Sequence, residues 1–156
     1  MLDLEISQKG FLSNSPVSLQ QSKEATHMFE THIQPRFNET DALGHISNTV
    51  MPGWFELARI PLFQIIHPPM TIHDWPIIVA HIDIDYLRQI HLGNDVTIKT
   101  KIEKIGTKSI TIYQEAWQLD KLAASGRTVM VYFDYQTNTT VALPDELKSK
   151  LTAIAG

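Results

Sequence analysis

Residues Phe37–Arg59 read FNETDALGHISNTVMPGWFELAR. The first half is a polar loop with one carboxylate at Asp41 and a glycine at Gly44. From about Asn48 to Ile66 apolar residues recur at helical spacing: Phe55, Leu57, Ala58, Leu62, Ile65 and Ile66, with Trp54 adding bulk. Asn48 or Thr49 is placed to cap the helix, and Pro52 falls in its first turn. Pro61 removes one backbone bond, so a kink or a shortened helix is expected there. A carboxylate just ahead of a helix N-terminus stands beside N–H groups that have no partner within the helix. That juxtaposition suits attack on a carbonyl, with the acid acting on the carbon while the N–H groups stabilise the oxyanion.

Outward from this stretch the pattern changes to strands. His27 to Arg36 alternates, with Phe29, Thr31 and Ile33 on one side. After a proline-containing loop over His67–Trp75, Ile77–Gln89 is read with Ile78, Ala80, Ile82, Ile84 and Tyr86 on one face and His81, Asp83 and Asp85 opposite. Asp95–Ile105 turns Val96, Ile98, Thr100 and Ile102 inward. Ser109–Leu119 is mixed, and Ala123–Gln136 alternates through Val129, Val131, Phe133 and Tyr135. A last short strand is expected near Thr140–Leu143. Leu143-Pro144-Asp145-Glu146 then opens a closing helix with Leu147, Leu151 and Ile154 as its stripe. One strand, one long helix and several antiparallel strands define an α+β fold. A single helix covers a large sheet only if the sheet curls around it. Residues 1–26 are polar, rich in Ser, Gln and Asn, and are read as a flexible arm preceding one domain over 27–156.

Composition narrows the function classes. A chain of 156 residues with 43% apolar and 19% charged residues suits one soluble globular domain. Its net charge of −4 argues against nucleic acid, which asks for a basic footprint. An anionic ligand then needs a local basic patch. The absence of cysteine excludes a thiol nucleophile, disulfides and cysteine-based zinc sites, and fits a cytoplasmic location. No apolar run reaches the ~18 residues of a membrane span, and no signal-peptide pattern opens the chain.

Thr40-Asp41-Ala42-Leu43-Gly44-His45-Ile46-Ser47-Asn48, followed by Trp54-Phe55-Glu56-x-Ala58-Arg59, resembles the signature of hotdog-fold acyl-CoA thioesterases of the 4-hydroxybenzoyl-CoA thioesterase type. The similarity is greatest to the short bacterial enzymes with a D-x-x-G-H-x-x-N loop, and it extends roughly from Met28 to Leu151. The resemblance implies a curled antiparallel sheet wrapped around one long central helix. It also implies hydrolysis of an acyl-CoA or acyl-carrier-protein thioester without a cofactor beyond the CoA of the substrate, and a homodimer or homotetramer with sites shared between protomers.

Under that resemblance Asp41 is the nucleophile or the general base, and the Asn48 backbone N–H polarises the thioester carbonyl. A plain structural role is also open to each, as an Asx turn or a helix cap. Gly44 permits close backbone approach. His45 orients Asp41, donates to the carbonyl or simply satisfies the loop. Tyr86 and Arg88, in Asp83–Arg88, and Lys108 and Ser109, in Gly106–Ser109, match segments that shape the dimer and the CoA groove. Arg88 and Lys108, with Arg127 as a further candidate, are the cations offered to phosphates; solvated sheet-edge charges are the simpler account. Glu39 reads as an exposed loop charge, and Glu56 with Arg59 as an i,i+3 ion pair. Trp54, Phe55 and Trp117 read as core. The seven histidines show no metal-ligand spacing, and no G-x-S-x-G elbow or phosphate loop occurs. Two rivals stand beside the thioesterase. A hotdog hydratase or dehydratase uses a D-x-x-x-x-H pattern, whereas only three residues separate Asp41 from His45. An acyl-thioester binding module without turnover is the other.

Overall fold

The structure, a computed structural model, describes residues 29–155, so the expected arm and His27 lie outside the described residues. Five strands form an antiparallel sheet in the order β1-β3-β4-β5-β2: β1 Phe29–Ile33, β2 Ile77–Tyr86, β3 Val96–Ile105, β4 Ser109–Gln118 and β5 Lys121–Asp134. The short β6, Thr139–Thr140, pairs with the end of β5. Register shifts at Val79/His81, Ile102/Lys104 and Ala116/Trp117 insert bulges that increase the local twist and help the sheet curl. The sheet wraps the helical segment after the Asp41 loop, and α3, Asp145–Ala155, packs across β3.

The expected long helix is divided in two. Helix α1 spans Met51–Ala58 and α2 spans Ile60–Ile66, with Arg59 between them. Pro61 has no N–H to offer Leu57, and Arg59 N–H bonds to Glu56 O at 3.0 Å, three residues back rather than four. The Phe55 carbonyl thereby loses its helical donor, and Gln114 Nε2 takes it at 2.9 Å. The same apolar spacing that names Phe55, Ala58, Leu62 and Ile66 also carries Arg59 into the core, where only 2% of it is exposed. It forms no Glu56 salt bridge. Its Nη1 donates to Gln114 Oε1 and Thr128 Oγ1, each at 3.0 Å, and Gln114 also donates to Thr100. Burial pushes the guanidinium down to about 10, with Glu56 opposing that shift through its charge alone.

This polar layer stands between two apolar clusters. Met51, Trp54 and Phe55 pack with Val96, Ile98, Ala116 and Ala124 on the Asp41 side. Leu62 and Ile66 pack with Ile110, Ile112, Met130, Leu147 and Leu151 on the other. Full burial of side chains such as Phe55 and Leu151 contributes ~1.5–3 kcal/mol each. Gly126 lets α1 approach the sheet. A Cβ there would lie 2.3 Å from Asp83 O and 3.1 Å from the Phe55 ring.

β1, β3 and α3 bury the residues their patterns predict. Two strand patterns have a particular physical cause, and one assignment, that of β2, needs correction. β4 alternates strictly, but two of its inward positions are Gln114 and Gln118, which is why its pattern reads as mixed. In β5 the buried face is Ala124, Gly126, Thr128 and Met130, small or polar residues; Val129, Val131 and Phe133 lie half-buried on the outer face. In β2 the bulge at Ala80 changes the face, so Val79, Ile82, Ile84 and Tyr86 share the inner side while Ile78 turns outward. Trp117 also faces outward, beneath Lys99.

Candidate active site

The loop is built from its ends inward. Glu39, expected to be an exposed charge, is 6% exposed and locks the loop to its neighbours. Its carboxylate accepts from Arg36 N, Nε and Nη2 at 2.7, 3.1 and 2.7 Å and from Trp54 Nε1 at 3.1 Å. Burial alone would raise this carboxyl; the hydrogen bonds from Arg36 and Trp54 outweigh it and hold it below the ordinary value. The Glu39 carbonyl accepts from Ser47 N–H at 2.8 Å, which closes the loop, and a Thr40–Ile46 bridge runs inside that closure.

Within it, Asp41 and His45 are joined by Asp41 N–H to His45 O at 2.8 Å. Asp41 Oδ1 accepts from Leu43 N–H at 2.8 Å and from His45 N–H at 3.3 Å. The Asx turn and a poised carboxylate are therefore one arrangement: Oδ1 is held, and Oδ2 has no donor among the described residues. Gly44 has φ +78°, and nothing lies within 4 Å of where its Cβ would be, so conformation rather than close approach calls for glycine. The His45 ring meets His91 edge-on at 5.0 Å, and their backbones form a bridge. Gln118 clamps that segment by accepting from His91 N–H at 3.0 Å and donating to the His91 and Asn94 carbonyls, each at 2.8 Å.

Asn48 sits in the turn before α1, not at its cap. Helix α1 begins at Met51, and Ser47 Oγ, not an Asn48 or Thr49 side chain, accepts the first free N–H, from Thr49 at 3.4 Å. The Asn48 N–H has no acceptor among the described residues. Its peptide is nevertheless fixed, because Ser47 O accepts from Val50 N–H at 3.0 Å. The next peptide is fixed by Tyr86, whose hydroxyl donates to Asn48 O at 2.5 Å. Burial raises the Tyr86 phenol, which keeps it a donor.

A cleft of about 380 Å³ gathers these groups, with Asp41, His45, Asn48, Tyr86 and Arg88 on its walls and Met51 and Ala124 among its apolar lining. A second cleft of about 510 Å³ shares Leu87, Arg88 and Gln89 with it and adds His91, Gln118 and Lys121. Lys121 has no motif around it that sequence reasoning could use. Lys108 and Ser109 are not brought to either cleft. They lie at the opposite end of β4 from Gln118, ~30 Å away at the usual rise per residue, and Lys108 Nζ donates to Thr140 O at 3.1 Å. Arg127 is likewise committed, on the outer face, to Glu103 at 2.9 and 3.1 Å. Among the described residues no three His, Asp or Glu side chains gather into a metal site. Among them too, no helix is long and apolar enough to cross a membrane.

Residues 35–151 match the thioesterase-like superfamily. The chain belongs to that family and is a thioester hydrolase with the hotdog fold. It is similar to a predicted thioesterase from Bacillus stearothermophilus, with 39% identity, TM-score 0.80, and coverage of 82% of this chain and 96% of that one. It is also similar to a Thermus thermophilus thioesterase solved in complex with coenzyme A and Zn, with 30% identity, TM-score 0.75, and coverage of 85% and 97%. A DHNA-CoA thioesterase from Staphylococcus aureus shares 26% identity at TM-score 0.68, with coverage of 80% and 91%.

Proposed function

We propose that this thioester hydrolase acts on acyl-CoA, with Asp41 as its carboxylate and the Asn48 N–H as its oxyanion donor. The observation that carries the reading is the shared cleft: a carboxylate with one oxygen tied down and one free faces the same space as an unspent N–H on a fixed peptide. In one route Asp41 Oδ2 removes a proton from water as the water oxygen attacks the thioester carbonyl. In the other Oδ2 attacks directly and forms a mixed anhydride that water then cleaves. Both build negative charge on the carbonyl oxygen at Asn48, and both end with free acid and thiol. His45 acts through the loop, since its backbone rather than its ring meets Asp41.

The CoA assignment rests on the Thermus relative and on the second cleft, where Arg88 and Lys121 offer cationic donors beside the first. A homodimer joined along β2 completes the reading. That strand is a sheet edge, and Val79, Ile82, Tyr86 and Leu87 leave it 37–53% exposed, a surface that a second copy would pair and cover.

Asp41→Asn tests the centre of the proposal. Turnover measured by thiol release should fall by at least ~100-fold, the low end of general-base effects, while fold and CoA binding persist. Near wild-type turnover would refute the assignment. A clean monomer in sedimentation that still turns over substrate would refute the dimer.

A further inference from the structure

The Arg59 layer is incompletely satisfied. Nη1 spends its donors on Gln114 and Thr128, whereas the buried Nε has no partner and Nη2 makes no hydrogen bond among the described residues. Unspent donors on a buried cation are costly, and such groups usually meet an acceptor. Beside Arg59 lies a cavity of about 260 Å³, walled by Phe63, Trp75, Ile77 and Val79, with the exposed Glu56 carboxylate also lining it. Largely apolar and aromatic walls thus carry one cationic donor and one anionic acceptor.

The cavity and the catalytic cleft lie along one face of the same strand. Tyr86 borders that cleft and Val79 borders this cavity, and both lie on the inner face of β2 with the exposed Ile82 between them. The strip from Tyr86 to Val79 is ~20 Å long at the usual strand rise, matching an extended long acyl chain. Resting on the thioesterase reading above, we propose that the cavity receives a hydroxyl group at the far end of the substrate's acyl chain. Arg59 donates to its oxygen and Glu56 accepts its hydrogen. An alkyl terminus would leave the Arg59 donors unspent. A terminal carboxylate would meet Glu56 with like charge.

The test compares kcat/KM, by thiol release, for hexadecanoyl-CoA, its ω-hydroxy analogue and the corresponding dicarboxylic half-thioester. The ω-hydroxy substrate should be preferred over both by about tenfold, as one net hydrogen bond implies. Val79→Trp, which fills the cavity from the strand edge that the proposed dimer covers, should bring that ratio to unity while sedimentation still shows the wild-type assembly, and Glu56→Gln should reduce it. Arg59→Met is avoided as the deciding variant because it removes a buried framework group. Nitrogen-edited NMR of the Arg59 side chain gives a readout independent of turnover: 1-octanol should shift its Nε–H signal saturably in the wild type and not in Val79→Trp. Turnover of hexadecanoyl-CoA without an ω-hydroxy preference would overturn the proposal and leave the thioesterase reading intact, as would a preference for the diacid. If no thioester is cleaved, the thioesterase reading fails instead. The octanol titration then decides the cavity alone, a saturable shift upholding the alcohol site and a flat response overturning it.

Discussion

The two ends of this sheet are held by different means. Around Asp41 the chain is fixed by directional bonds to backbone groups: Glu39 to Arg36 and Trp54, Oδ1 to two N–H groups, Tyr86 to Asn48, Gln118 to His91. At the other end α2 and α3 close an apolar cluster around Leu62, Ile112, Met130 and Leu151, with little polar contact inside it. Directional bonds set positions to within tenths of an ångström and contribute modestly to stability; apolar burial does the reverse. The difference predicts that damage at one end is read in turnover and damage at the other in stability.

The largest stability effect should therefore come from the end remote from Asp41. Leu151 is fully buried under β3, and Leu151→Ala should cost ~2–5 kcal/mol, for lost burial and the cavity left behind. Denaturant unfolding measures it. Turnover per folded molecule should stay at wild-type level, and a loss of turnover beyond the unfolded fraction would break the division.

Glu39 tests the other end. Glu39→Gln keeps the shape of the side chain but removes charge-assisted bonds from Arg36 and Trp54, for a loss of ~1–3 kcal/mol. The carboxyl is held below its ordinary value of 4.5 in the folded state, so in the window just below that value the unfolded chain binds more protons. Stability from Glu39 is thus fully present above the ordinary value and is lost as pH falls through the lower folded one. Urea midpoints from pH 6 downward, compared between wild type and Glu39→Gln, should converge in acid. Curves that stay parallel would show that Glu39 carries no such linkage.

The same division explains what the sequence disclosed. Apolar periodicity reports burial, so β1, β3, α3 and the break at Pro61 were legible. Where the core uses small or polar residues, the signal fails. β5 buries Ala124, Gly126 and Thr128 while its larger Val129 and Val131 face outward, and the bulge at Ala80 reverses the apparent face of β2. Arg59 and Glu39 were misread for a related reason, since a charge in a helical stripe or a loop looks solvated until its partners, 55 residues away at Gln114 or 15 away at Trp54, are brought to it. The loop motif carries Asp41, His45 and Asn48, which line one cleft. Motif matching did not show that Lys108 and Ser109 stand at the opposite end of β4, or that Tyr86 acts on the Asn48 carbonyl.

Tyr86 supplies a smaller test. Tyr86→Phe deletes only the hydroxyl that holds the Asn48 carbonyl. A neutral bond of this kind contributes ~0.5–1.5 kcal/mol, so kcat should fall a few-fold to about tenfold with little change in stability. If KM changed while kcat did not, Tyr86 would be a binding group and not a support for the oxyanion donor.

The smallest effect concerns charge at the rim of the second cleft. Arg88 and Lys121 make no salt bridge among the described residues, and both line that cleft, so each is available to a phosphate. Exposed ionic contacts contribute ~0.2–1 kcal/mol each and are screened over ~10 Å at 0.1 M salt. Arg88→Ala and Lys121→Ala should each raise KM for acyl-CoA by no more than about fivefold and flatten its rise with added salt. kcat should be unaffected, because the phosphates are remote from the reacting carbonyl. A short thioester lacking the nucleotide should respond to neither variant. Lys108→Ala is the control that sharpens the comparison. Lys108 belongs to the other end of the sheet, and its Nζ is engaged by Thr140 O, so within one protomer it should leave KM unchanged. A KM effect at Lys108 equal to that at Arg88 would mean that the ligand reaches across to a second copy, bringing opposite ends of two sheets to one substrate.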